Sequence, residues 1–588
     1  MAAWISIKSE PLFFVQKRNG GSKLKLVIAE KPSVAMSIAK VIGANSRKDG
    51  YVEGNNYIVS WCVGHLVRMS NPETYDERYK RWNIADLPIF PDNYKYEVSK
   101  YTKKQYSILK KLLADKRVVE VVNACDAARE GELVFRLVYN QARCKKPIKR
   151  LWISSMEDKA IKEGFNNLKD GIEYENLYRS ALARGQADWL VGMNLSRYYS
   201  CLHNKNYSVG RVQTPTLAMV VDRDKAIRNF KKEKYYTVEI NAKDINLETS
   251  RINEEEKAKK LLSSIPKTVE IKEIENNRKI TRPDKLFDLT TLQRECNKYF
   301  GYSAKQTLDY AQSLYEKKLI TYPRTDSRFL TDDMINIVKT YVDSFGNDFD
   351  EKNFKSIFNS KKVEDHHAII PTSGSLDFDT RSLQGSEEKV FELIKAKLLA
   401  AKSGNLITEN TKVICDVEGY EFTSRGTVVI DEGFTKYLTS YTRKKEDKVL
   451  PRLNKGVRIK VEDKKINEKY TNPPKAYTED TLLKDMDLAG KDAKQDLDIE
   501  TKGLGTPATR AGIIENLIQK ELIKRDERKL ISTDKGEQLV SLVADFLRNP
   551  NTTVDWEVKL YEIAEGKADL KDFIGDVEKR IREVISQG

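Results

Sequence analysis

"LKLVIAEKPSVAMSIAKVIG", residues 24–43, decides the class of the fold. Leu24 to Ala29 form a short run rich in Leu, Val and Ile, the composition of a buried strand. Pro32 and Ser33 are helix-start residues. Val34, Ile38 and Val41 or Ile42 then recur at helical spacing, and Gly43 marks the stop. Glu30 and Lys31 therefore fall in a strand-to-helix turn. "RVVEVVNACDAAREGELVFRLVY", residues 117–139, repeats the pattern. Val118 to Val122 read as a strand and Leu133 to Val138 as a helix, with Asp126, Arg129 and Glu130 in the turn between. Two such units predict an α/β domain of parallel strands over 24–157. Acidic groups gather at its strand ends, where open α/β sheets place their sites.

The chain has 588 residues and a formal net charge of +15. The length suggests about four domains, and the charge favours a polyanionic partner, usually nucleic acid. No apolar run approaches the ~20 residues of a membrane helix, so no membrane association is expected. The six cysteines, Cys62, Cys125, Cys144, Cys201, Cys296 and Cys415, form no C-x-x-C pair. That argues against a zinc ribbon or a disulfide framework and for a reduced, cytoplasmic setting. The first 23 residues lack the long apolar core of a secretion signal and read as an extension.

Beyond the α/β domain, 158–225 reads as helical, 226–280 as strands, 281–404 as helical, 405–470 as strands again and 471–588 as mostly helical. A β-type domain is thus entered, left for an inserted helical block and re-entered. The expected class is α/β plus α and β, multidomain.

Glu30, Asp126 and Glu130 are expected to converge above the sheet. Their hard oxygens suit Mg²⁺, with Lys31 and Arg129 offsetting phosphate charge. Acids also cap helix N-termini in such turns, so each alone has a plain structural reading. In "LITYPRTDSRFL", 319–330, Pro323 biases Tyr322 toward an extended backbone, and Arg324 and Arg328 are placed to grip phosphate. A phenol of pKa ~10 is about 0.1% ionised at pH 7, so a nucleophilic tyrosine needs positive neighbours. With 28 tyrosines in the chain, local sequence leaves Tyr322 open between a core tyrosine and a nucleophile. "DHHAIIPT" (365–372) places His366 for a phosphate or backbone contact. "NYSVGRVQTPTLAMV" (206–220) sets Arg211, Gln213 and Thr214 at a helix entry suited to phosphate. Arg184 and Asp188 lie four apart on one helix face. No G-x-x-x-x-G-K-[ST] is present, so an ATP-driven motor is not expected.

Taken in order, "VIAEKPSVA", "DAAREGE", "ARGQADWLVGMNLSR", "SVGRVQTPTL", "LITYPRTDS", "DHHAIIPT" and "GLGTPATRAGII" resemble the type IA DNA topoisomerases, most closely the bacterial topoisomerase III branch. The resemblance runs over nearly the whole chain from about residue 24. It implies a Toprim domain at 24–157, a helical DNA-binding domain in two parts (158–225 and 471–588), a β-rich arch in two parts (226–280 and 405–470) and a tyrosine-bearing helical domain at 281–404, arranged as a toroid. It implies that Tyr322 attacks a phosphodiester and leaves a 5′-phosphotyrosine, that Glu30 acts as acid/base at the 3′-oxygen, and that Lys31 and Arg324 stabilise the phosphate in transit. Glu30, Asp126 and Glu130 would hold Mg²⁺. Arg184, Asp188, Arg211, Gln213, Thr214, His366 and Arg328 would meet DNA. The expected reaction is ATP-independent strand passage, relaxing negatively supercoiled DNA and decatenating. Its partners would be single-stranded DNA, junctions and catenanes, together with a helicase of the RecQ type or a single-strand binding protein, and the enzyme would be a monomer.

Many relatives carry D-x-D-x-E in the acidic turn. Here it reads Asp126-Ala127-Ala128-Arg129-Glu130, one carboxylate fewer, which should weaken Mg²⁺ binding or limit the site to one ion. Ala128 is also the one feature favouring the alternative, a DNA-binding or mobilisation accessory protein of the same fold with weak strand transfer. Zinc ribbons, usual in topoisomerase I, and the helicase half of reverse gyrase are not found. No decatenation loop is identified in 241–280.

Overall fold

The computed structural model describes residues 23–153, 156, 158–242, 244–346, 348–363, 366–441, 449–489 and 503–587. The extension read at 1–23 lies outside these residues except for Lys23. The chain divides into two compact units, one comprising the residues up to Ser70 with Tyr94–Tyr178, the other Asn71–Asn93 with Arg179 onward.

The first unit is built on a seven-stranded sheet. Its order is Ser46–Lys48, Tyr51–Gly54, Tyr57–Trp61, Leu24–Ala29, Val118–Ala124, Ile148–Arg150, Lys169–Asp170. Leu24–Ala29 is central and pairs in parallel with Tyr57–Trp61 and Val118–Ala124. The sheet is mixed rather than purely parallel. The pairs Ser46–Lys48/Tyr51–Gly54, Tyr51–Gly54/Tyr57–Trp61 and Ile148–Arg150/Lys169–Asp170 are antiparallel, because short hairpins were not visible in an apolar pattern dominated by buried strands. One face packs Val27, Ala29, Val59 and Val122 against Val34, Ile38 and Ala39 of helix Pro32–Ile42. That helix has Pro32 in its first turn and ends at Gly43 in the left-handed region (φ 80°), as the sequence predicted. The second helix starts earlier than expected, at Arg129 (Arg129–Gln141). Arg129 and Glu130 are therefore in its first turn, where an acid meets the positive end of the helix dipole; only Asp126 stays in the turn itself.

In the second unit, six strands close a barrel in the order Lys234–Ala242, Ile245–Thr249, Tyr420–Asp431, Leu406–Val417, Thr268–Thr281, Arg458–Tyr470. Closure leaves no free edge, and alternate residues such as Val238, Ile240, Leu247, Ile271, Val413 and Phe422 fill the interior. The chain leaves the barrel along Thr268–Thr281 and returns along Leu406–Val417, two strands paired antiparallel with Thr281 opposite Leu406. Everything between is one inserted block with helices Leu289–Phe300, Ala304–Glu316 and Gly385–Ala401 around Leu292, Leu308, Leu314, Val390 and Ile394. The rest is mostly helical, with one hairpin of Ile523–Asp526 and Lys529–Ser532; its helices include most of the long Glu175–His203, Gln213–Arg228 and Pro507–Gln519, which starts at a Thr506 capping box.

Candidate active site

In the first unit, Glu30 and Lys31 follow the central strand and Asp126 follows its neighbour Val118–Ala124, so the parallel pairing brings them together. Lys31 Nζ lies 3.5 Å from Asp126 Oδ2 and 3.8 Å from Glu30 Oε1. Burial, and then the charge of Asp126, push the Glu30 carboxyl above its ordinary pKa. The helix from Arg129 comes very close to this turn. A Cβ on Gly131 would sit 2.2 Å from the Asp126 carbonyl oxygen, so only glycine fits there.

Glu130 does not join these acids in a ready-made cage. Its Oε1 is 2.7 Å from His65 Nε2, and this hydrogen bond holds the His65 imidazole above its ordinary pKa. Among the described residues no three His, Cys, Asp or Glu side chains gather as a metal-binding group. The expected convergence of Glu30, Asp126 and Glu130 is thus met only for Glu30 and Asp126. Those two still fit a hard divalent cation, which needs only one or two carboxylates when water and phosphate complete its shell. The Lys31 ammonium already lies between them, where positive charge is wanted. Ala128 stands at the N-cap position with no side chain to cap the helix.

Sequence reading missed the support beneath this turn. Arg150 is fully buried, and its Nη1 donates to the carbonyls of Cys125 (2.7 Å), Leu151 (2.9 Å) and Asn123 (3.2 Å), while Nη2 donates to Asp126 O (2.6 Å). Glu132 balances the charge, at 3.2 Å from Arg150 Nε and 2.9 Å from Arg136 Nε. His65 was missed too. The available signal was its place after Gly64, just past an apolar strand.

In the second unit, the loop carrying Tyr322 is strapped to 366–372. Thr321 N donates to Ile370 O (2.9 Å), Thr372 N to Leu319 O (3.0 Å), Ala368 N to Phe329 O (2.8 Å) and Thr325 Oγ1 to His366 O (2.6 Å). The two sequence blocks are one structural object. The half-buried Tyr322 ring lies 4.4 Å from the His366 ring and edge-on to Tyr315 at 5.3 Å. Arg324 is exposed and, among the described residues, has no hydrogen-bond or ion-pair partner. Arg328 instead donates to the carbonyls of Leu286 (3.0 Å) and Lys285 (3.3 Å). His367 is a separate matter: desolvation holds it below its ordinary pKa, with Nδ1 2.9 Å from Ala368 O.

Also in the second unit, Arg184 and Asp188 do not pair with each other. Asp188 Oδ1 accepts from Arg211 Nε (2.7 Å), and Glu557 takes Arg211 Nη1 at 3.0 Å and faces Arg184 Nε at 3.9 Å. Burial opposes the Arg211 charge, but Asp188 and Glu557 more than offset it and hold its pKa above the ordinary value. Gln213 opens its helix and accepts from Asn516 Nδ2 (3.0 Å). Thr214 is buried and accepts from Gly210 N (3.1 Å), closing the loop before the helix.

A DNA topoisomerase family model matches residues 172–575 and a Toprim domain model matches 25–156. The chain belongs to the type IA DNA topoisomerase family. DNA topoisomerase 3 of Bacillus cereus is 39% identical over 596 residues, covering 96% of this chain and 81% of that protein. The Bacillus subtilis protein of the same name is 39% identical over 593 residues with the same coverage. Full-length topoisomerase I from Thermotoga maritima shares the fold, with a TM-score of 0.72 at 23% identity over 95% of this chain and 90% of that one. As a topoisomerase the chain is an isomerase acting on DNA topology, and the Toprim domain is of a kind that typically binds a divalent metal. Among the described residues no helix is long and apolar enough to cross a membrane.

Proposed function

We propose that Tyr322 opens one DNA strand by transesterification and that the break is resealed after a strand or duplex has passed. Tyr322 Oη gives up its proton to solvent and bonds to phosphorus, the bond to the 3′-oxygen breaks, and that oxygen leaves with the electron pair and takes a proton from Glu30. Resealing runs the same exchange backwards. One phosphate ester replaces another in each direction, so no ATP is needed, in keeping with the missing P-loop. Lys31 and Arg324 stabilise the charge that builds on the phosphate oxygens. Glu30 and Asp126, with Glu130 if it leaves His65, would hold Mg²⁺, which would offset phosphate charge. His366 orients the Tyr322 ring. Arg184, Asp188, Arg211, Gln213 and Thr214 meet the DNA strand, with Arg211 holding Asp188 in place, and Arg328 stiffens the tyrosine loop.

The observation that carries this reading is a tyrosine clamped by a hydrogen-bonded strap onto a histidine, with an unpaired arginine two residues on. The substrates are single-stranded DNA, junctions and catenanes, and the reaction relaxes negative supercoils and decatenates. The protein works as a monomer in the cytoplasm, beside a RecQ-type helicase or a single-strand binding protein. The test mixes the protein with a 3′-labelled single-stranded oligonucleotide and quenches with detergent. Label should enter a covalent protein band with the natural chain and not with Tyr322→Phe. Bound DNA without an adduct in either sample would overturn the assignment.

A further inference from the structure

Strand passage requires the inserted block to part from the rest of the second unit, and the chain is laid out for that. The block is tied covalently only through Thr268–Thr281 and Leu406–Val417, which run side by side, so it can swing on one paired connection. Among the contacts that hold it closed is a polar one at the head of the helix that leads to the tyrosine. Glu479, almost wholly buried, accepts from Ala304 N through Oε2 (2.6 Å) and from Arg525 Nε through Oε1 (2.8 Å). Arg525 in turn grips Glu515. Ala304 is the first residue of Ala304–Glu316, whose end lies six residues before Tyr322. Asp480 extends the seam, pairing with Arg294 (2.9 Å) and donating its backbone N–H to Asn297 Oδ1 (3.1 Å).

We propose that Glu479, backed by Arg525, is a positioning residue that latches the tyrosine block shut and so sets how often the cleaved ends separate; this rests on the strand-passage reading above. The chemistry suits a contact that must open and close repeatedly. An apolar seam would expose oily surface at each opening, whereas a carboxylate, a guanidinium and an amide exchange partners with water. A polar cavity of about 390 Å³, lined in part by Asn297, Ser303, Glu479, Glu515, Arg525 and Arg528, lies against the latch, so water reaches these groups as soon as the seam loosens.

The test compares the natural chain with Glu479→Gln and Arg525→Gln. Each is placed on a single DNA strand under constant tension, where separation of the cleaved ends lengthens the tether. Covalent adduct is measured in parallel. We expect the fraction of time spent open to rise about tenfold in both variants, with adduct yield within about twofold of normal. An unchanged open fraction overturns the latch. So does loss of adduct alongside a normal melting profile, since Glu479 would then merely support the tyrosine loop. The strand-passage reading fails separately, if Tyr322→Phe still shows tether lengthening. Arg525→Gln guards against a folding defect in Glu479→Gln, because Arg525 is one-third exposed and reaches the seam from one side.

Discussion

Replacing Glu132 by glutamine should unlock the acidic turn of the Toprim unit without touching a residue that meets DNA. In the native fold Arg150 gives Nη1 and Nη2 to four carbonyl oxygens, and its charge is met by Glu132, which is 1% exposed. Desolvation already holds the Arg150 pKa below its ordinary value. Removing the carboxylate leaves a buried guanidinium facing backbone dipoles and the weaker charge of Asp126. Losing one partner of a buried pair costs about 3–5 kcal/mol, equivalent to roughly two to three and a half orders of magnitude in a local opening constant. Arg150→Met should cost a similar amount, because it strips a donor from the carbonyls of Asn123, Cys125 and Asp126 and takes one of its two arginines from the buried Glu132. The double variant should cost less than the sum of the two by about 0.5–3 kcal/mol, since neither charge is then buried alone. Hydrogen exchange is the right assay, because it reads the strand Val118–Ala124 locally while a whole-chain melt mixes two units. Less than a tenfold loss of protection in Glu132→Gln, or strict additivity in the double variant, would refute the reasoning.

Two further outcomes are expected. Ala128→Asp restores the missing acid at an N-cap position, so cleavage should reach half-maximum at lower Mg²⁺ and the helix should gain about 0.5–2 kcal/mol from the cap; identical Mg²⁺ titrations would sink the idea that the absent carboxylate matters. His367 is held below its ordinary pKa by desolvation. The unfolded chain therefore binds its proton at higher pH than the folded one, so the stability contribution is complete above about pH 6.5 and falls as pH drops below that value. Melting temperature should decline less steeply from pH 7.5 to 5.5 in His367→Gln than in the natural chain, and parallel slopes would count against the assignment.

The strand Leu24–Ala29 and its helix were legible because apolar spacing, Pro32 and Gly43 are local signals with local causes. The insertion of the tyrosine block was legible as a change of period from strand to helix and back. Closure of the barrel was not, because Lys234 pairs with Tyr470 across more than two hundred residues and no local pattern encodes that register. Tyr322 stayed ambiguous in its own sequence for a related reason: its meaning lies in the strap from Ile370 and the ring of His366. Arg150 was passed over because "KKPIKR" reads as a solvated basic run, although one of its members turns inward to a buried glutamate. Glu130 was read by type alone, and the fold brings His65 to it.

The side-by-side departure and return at Thr281 and Leu406 bears on how such a chain is assembled. Directly opposed residues in an antiparallel ladder have Cα atoms about 5 Å apart, so a two-residue hairpin could join them and close the barrel without the block. The 124 residues from 282 to 405 thus form a removable cassette whose two ends meet at one point. A cassette of that kind can be exchanged between relatives, or given new termini at its boundary, without re-registering any strand of its host.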